Sequence, residues 1–100
     1  MKFKYNFLER KLYKLEGEYS YEISEFNHPL TSDIATTFKL GENQWLFLSF
    51  SDLSQTKITF HYFENSGNHE VINYEKKINL GKFQVETIFE FTEQDRINSS

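Results

Sequence analysis

Hydrophobic side chains in this sequence recur mainly at every second position, the spacing that lines one face of a β-strand. In Lys57-Ile58-Thr59-Phe60-His61-Tyr62-Phe63-Glu64, the residues Ile58, Phe60 and Tyr62 share one side. Asn65-Ser66-Gly67-Asn68 reads as a turn, and a partner strand begins near Glu70. Tyr19, Tyr21 and Ile23 alternate with Ser20, Glu22 and Ser24 before a break at Asn27-His28-Pro29. Ile34 to Leu40 predicts a further strand, linked by a connection of three or four residues around Gly41-Glu42-Asn43-Gln44 to Trp45-Leu46-Phe47-Leu48-Ser49-Phe50. That last stretch is apolar on both sides, which predicts a central strand covered on both faces.

Asn79-Leu80-Gly81-Lys82-Phe83 places glycine at the first central position of a two-residue loop, as a type II′ hairpin requires. The resulting register pairs Leu80 with Phe83, Ile78 with Val85, Lys76 with Thr87, Tyr74 with Phe89 and Ile72 with Phe91. On the other face it sets Lys77 opposite Glu86. The first fifteen residues satisfy two periods. Phe3, Tyr5 and Phe7 alternate like a strand, whereas Tyr5, Leu8, Leu12 and Leu15 fall on one helical stripe. A strand running into a short helical or irregular segment that ends at Gly17 is expected, and this segment is the candidate cover for the second face of Trp45 to Phe50.

The expected fold is therefore mainly β: one domain over 1–100, an antiparallel meander of about six strands forming a strongly curved sheet or small barrel. A short N-terminal helix packed on that sheet would make it α+β. Residues 93–100 are polar and read as a frayed tail.

Composition narrows the function classes. Eighteen of 100 residues are aromatic, so a few large side chains must fill the core. No cysteine is present, which removes disulfides, thiolate metal sites and cysteine nucleophiles. No apolar run approaches the roughly 20 residues of a spanning helix, and the charged N-terminus does not read as a secretory signal, so a cytoplasmic protein with no membrane contact is expected. The net charge of −4 is unevenly spread: residues 1–15 carry +4, residues 16–56 carry −6 and residues 57–100 carry −2. An acidic chain lacks the cations that displace counterions from phosphate backbones, so direct nucleic-acid binding is not expected.

No phosphate loop, nucleophile elbow or zinc-protease helix occurs, so no catalytic residue, cofactor or metal is assigned. His28 sits in a turn; His61 and His69 fall on one strand face without a placed third ligand. Glu86 and Glu90 share a strand face, but Lys77 stands opposite Glu86 in the expected register. The sequence predicts no enzyme.

The functional clue is Glu16-Gly17-Glu18-Tyr19-Ser20-Tyr21-Glu22-Ile23-Ser24-Glu25-Phe26, which mixes carboxylates with tyrosines and has no basic residue. Carboxylates steer a basic partner, and Tyr supplies rigid contact area at low entropic cost. A solvated strand with half-buried rings is the competing reading. Phe63, Val71 and Ile88 add an apolar patch on the other strand face that calls for a cover or a partner.

In size, acidity, lack of cysteine and lack of a catalytic signature, the chain resembles small immunity proteins of bacterial toxins and phage-encoded inhibitors of defence nucleases. That resemblance is one of composition, and it implies toxin neutralisation by a single-domain inhibitor. The expected partner is a protein with a basic surface, met through Glu16, Glu18, Tyr19, Tyr21, Glu22, Glu25 and Phe63. Two other classes stand beside it: a small barrel holding an apolar ligand among its Phe and Tyr side chains, and a structural or oligomerising subunit.

Overall fold

The computed structural model describes residues 1–26, 35–51, 56–68, 70–82 and 84–97. The expected break at Asn27-His28-Pro29 and the residues Ile34, His69 and Phe83 lie outside them. The fold is mainly β and antiparallel, with eight strands among the described residues: β1 (Lys2–Asn6), β2 (Lys11–Glu16), β3 (Tyr19–Ile23), β4 (Ala35–Gly41), β5 (Gln44–Phe50), β6 (Lys57–Ser66), β7 (Glu70–Asn79) and β8 (Glu86–Glu90). They form two four-stranded sheets, in the orders β3-β2-β1-β8 and β4-β5-β6-β7.

The sheets do not close into the small barrel considered above; they face one another as a sandwich. The reason lies in the alternation of each strand. Phe3, Tyr5, Leu12 and Phe89 from the first sheet, Phe91 just past β8, and Phe38, Leu46, Leu48, Ile58, Phe60 and Tyr62 from the second are all buried. Phe60 stacks on Phe89 with centroids 3.8 Å apart, Phe3 stacks on Phe89 at 5.6 Å, and Tyr5 meets both Phe38 and Phe60 edge-on at 6.2 Å. Each fully buried Phe contributes roughly 1.5–3 kcal/mol, so this aromatic layer suffices to hold two small sheets together without cysteine.

The N-terminal helix is not formed. Leu8 is 65% exposed in the turn, whereas Tyr5 and Leu12 are cross-strand partners facing the core, so period two prevails over the helical stripe. The β1–β2 turn is held by the Asn6 side chain, whose Oδ1 accepts the Glu9 amide at 2.8 Å, and by Arg10 at φ +56°. Nor does this segment cover the second face of β5. β1 and β2 lie on the inner side, against Leu46 and Leu48. The hairpin link from Gly41 to Gln44 spans two residues, with a register shift between Lys39 and Gly41, rather than three or four.

The expected C-terminal hairpin is also corrected. The β6–β7 hairpin forms as expected, with β7 beginning at Glu70, and its register sets Ile58 opposite Ile78 and Tyr62 opposite Tyr74. After it, however, the chain leaves this sheet. Gly81, at φ +70°, centres a tight turn in which the Lys82 amide donates to the Leu80 carbonyl at 2.7 Å, a γ-turn rather than a type II′ hairpin. Leu80 donates its own amide to Thr56, and β8 then pairs with β1, Phe3 opposite Phe89 and Tyr5 opposite Thr87. Of the apolar positions assigned to one hairpin face, Tyr74 meets Phe91, just past β8, across the sandwich with rings 5.9 Å apart, whereas Val85 is 50% exposed. Glu86 accordingly neighbours Asn6, and Lys77 pairs with Glu75 at 3.7 Å.

The tail is held as far as Ile97. A short 3-10 helix, Glu93–Asp95, is tied back by Asp95, which accepts the Thr92 amide at 2.7 Å and meets Lys76 at 3.1 Å. The Ile97 amide donates to the Asn73 carbonyl.

Candidate functional site

The β2–β3 hairpin displays most of the residues singled out in the sequence. Its turn, Gly17-Glu18, has two residues with Gly17 at φ +57°, so the glycine-first hairpin expected at Gly81 occurs here instead. Register places Glu16 beside Tyr19, Lys14 beside Tyr21 and Leu12 beside Ile23 on the face that deeper in the sheet forms the core. Only Leu12 and Ile23 are under the second sheet. Tyr19 is 68% and Tyr21 49% exposed, and their rings stack on one another with centroids 6.3 Å apart and planes 29° apart.

The acidic residues do not form one patch. Glu16 flanks the tyrosines and meets Lys14 at 3.1 Å, Glu18 stands at the turn, and Glu22 points to the opposite face, where Lys11 lies 3.6 Å away. All three are solvent-exposed, so these ion pairs are weak and leave the carboxylates available to a partner. Glu25 bridges to Phe38 on β4, which brings the end of this hairpin onto the second sheet.

Phe63 belongs to a different surface. On the outer face of the second sheet, β5 presents Trp45 and Phe47, and β6 presents their partners Phe63 and His61. Trp45 and Phe63 rings are 5.7 Å apart, Phe47 and His61 6.0 Å. Trp45, Phe47 and Phe63, with Phe26 and Thr37, line an open depression of about 370 Å³, and Phe47 remains 39% exposed. The two-sided apolar character of Trp45 to Phe50 was the signal for this face. The partner strand β6 was legible; Phe26 as part of the lining was not. Val71 and Ile88 are exposed but lie in different sheets, so the three-residue apolar patch expected with Phe63 does not assemble.

Two polar clusters were not foreseen. Tyr62 donates to Glu64 Oε1 at 2.5 Å, and Gln44 Nε2 donates to the same oxygen at 2.8 Å. Burial and the neighbouring carboxylate raise the Tyr62 phenol well above its ordinary value, while the two donors hold the Glu64 carboxyl below the usual carboxylate range. On the outer face, His61 Nε2 donates to Asn73 Oδ1 at 2.9 Å. Among the described residues no group of three or more His, Asp or Glu converges on a point where a metal ion would sit.

No helix among the described residues is long and apolar enough to cross a membrane. No protein family, curated protein or solved structure matches the chain.

Proposed function

We propose that this protein is a non-enzymatic, stoichiometric binding protein that occludes a basic surface of another protein, in the manner of an immunity protein or a phage-encoded inhibitor of a toxin or nuclease. The observation that carries the reading is the exposed, mutually stacked pair Tyr19 and Tyr21 beside Glu16 and Glu18 at the free end of the β2–β3 hairpin. Stacked tyrosines are rigid before binding, so little side-chain entropy remains to be lost, and the carboxylates accelerate encounter with a positive partner.

Affinity capture from extracts, with the wild-type chain and a Glu18→Lys/Glu22→Lys variant in parallel, tests this. The partner is retained by the wild type and lost by the variant, and its association rate falls as salt shortens the screening length from about 30 Å at 0.01 M to about 8 Å at 0.15 M. A salt-independent association rate, or full retention by a folded variant, sinks the proposal.

The aromatic depression on the second sheet favours a second reading, that of an apolar-ligand binder. The interior is filled by packed rings, so the site is this outer face rather than a barrel lumen. Trp45 is the single tryptophan of the chain. Its fluorescence and the melting temperature would both rise or shift with an aromatic or fatty-acid ligand; a panel that moves neither excludes it.

A further inference from the structure

We infer that the partner adds to the outer edge of β3 as an extended, basic strand. This rests on the proposed reading of the hairpin as the binding surface and specifies how it is used.

The phase of the hairpin decides which backbone groups are free. Glu16 and Tyr19 close a two-residue turn and so form a hydrogen-bonded pair; alternation makes Lys14–Tyr21 and Leu12–Ile23 bonded pairs as well. Ser20 and Glu22 then direct their N–H and C=O groups away from β2. The continuation of the chain shows the same phase, because the Phe26 amide, also at an even position, reaches outward to the Thr37 carbonyl of β4 at 2.8 Å. Beyond that point β3 and β4 separate into different sheets, and no described residue pairs with the outward groups of Ser20 and Glu22. A depression of about 440 Å³, lined by Ser24, Glu25, Phe26, Lys39, Leu40 and Glu42 among others, opens where they part.

An unpaired strand edge is a template for another strand, and main-chain hydrogen bonds hold an added segment whatever its sequence. Charge selects the occupant. Glu18, Glu22 and Glu25 lie along β3 and at its ends, Glu22 sharing its charge with Lys11 at 3.6 Å, and no Lys or Arg occurs between Lys14 and Lys39. A second copy of the chain would set these carboxylates against their own equivalents, whereas Lys or Arg side chains on an added strand meet opposite charge. An added strand also has two different faces to satisfy: Glu22 on one, and Tyr19, Tyr21 and Ile23 on the other. A segment alternating basic and apolar residues fits both.

The probe is a peptide of eight alternating Arg and Val residues, titrated into the isotopically labelled full chain. The expected result is that amide shifts and slowed hydrogen exchange centre on Ser20 and Glu22. Methylating alternate peptide nitrogens, or introducing Ser20→Pro, weakens binding about tenfold, because each removes ladder hydrogen bonds without touching the β2 pairing. Failure of the alternating peptide to bind, equal binding by the N-methylated peptide, or self-association through β3 seen by sizing overturns the inference. If Glu18→Lys/Glu22→Lys abolishes binding while N-methylation does not, strand addition falls and the electrostatic reading stands. If the charge reversal leaves binding unchanged, that reading falls too.

Discussion

Phe60 on β6 and Phe89 on β8 stack face to face, with centroids 3.8 Å apart and planes 22° apart, and this contact joins the two sheets at the middle of the sandwich. Both rings are buried, and Phe89 also touches Phe3 and Phe91. Truncating Phe89 therefore opens a cavity bounded by both sheets.

Phe89→Ala is expected to destabilise the fold by about 3–5 kcal/mol in chemical denaturation, whereas Phe47→Ala, on the exposed outer face, costs about 1 kcal/mol or less. A comparable loss at the two positions would contradict the sandwich packing.

The cross-sheet course of β8 has a direct test in a chain that has no cysteine of its own. Lys4 and Ile88 are cross-strand partners, so their Cα atoms are within disulfide reach. Lys4→Cys/Ile88→Cys should form an intramolecular disulfide on mild oxidation, read as a mass loss of two hydrogens. Lys77→Cys/Glu86→Cys, the pairing of the rejected hairpin, should not.

Stability is expected to decline at both ends of the pH range, for opposite reasons. Glu64 has a folded value below its unfolded 4.5, so its contribution is complete above that pH and is lost as acid protonates it. Tyr62 has a folded value above its unfolded 10.0, so its contribution is complete below that pH and is lost in stronger alkali. Tyr5 and Tyr74, also raised by burial, act in the same direction. Melting temperatures across pH 3 to 11 would show a plateau between these limits; a maximum outside it would refute the assignment.

Tyr62→Phe keeps the ring and removes the donor to Glu64. A loss of about 1 kcal/mol is expected, since Gln44 still serves the carboxylate. The sharper readout is titration by NMR: the Glu64 carboxyl should move up towards its ordinary value, and the alkaline decline should become shallower.

Gly17 and Gly67 should respond differently to alanine. No atom lies within 4 Å of a Cβ built at either position, so only backbone conformation separates them. Gly17 holds φ +57° and should lose about 1–2 kcal/mol; Gly67 does not hold a positive φ and should be unaffected or gain about 0.4–1 kcal/mol. Equal changes in thermal unfolding would contradict the type of turn at Gly17.

Alternation along the sequence determined the β class, the β6–β7 hairpin and the strand from Tyr19 to Ile23, because a period of two is a property of each strand alone. Tertiary structure decided which strands are neighbours. Phe89 and Phe91 alternate identically whether they sit beside Tyr74 in one sheet or face it from another, and the chain turns at Gly81 before β8 pairs with β1. The acidic, tyrosine-rich stretch was legible as a candidate surface from composition. Its division between two faces, the exposure of Tyr19 and Tyr21, and the place of β3 at the edge of its sheet follow from where the second sheet stops covering the first, and that limit is set by how two twisted sheets pack.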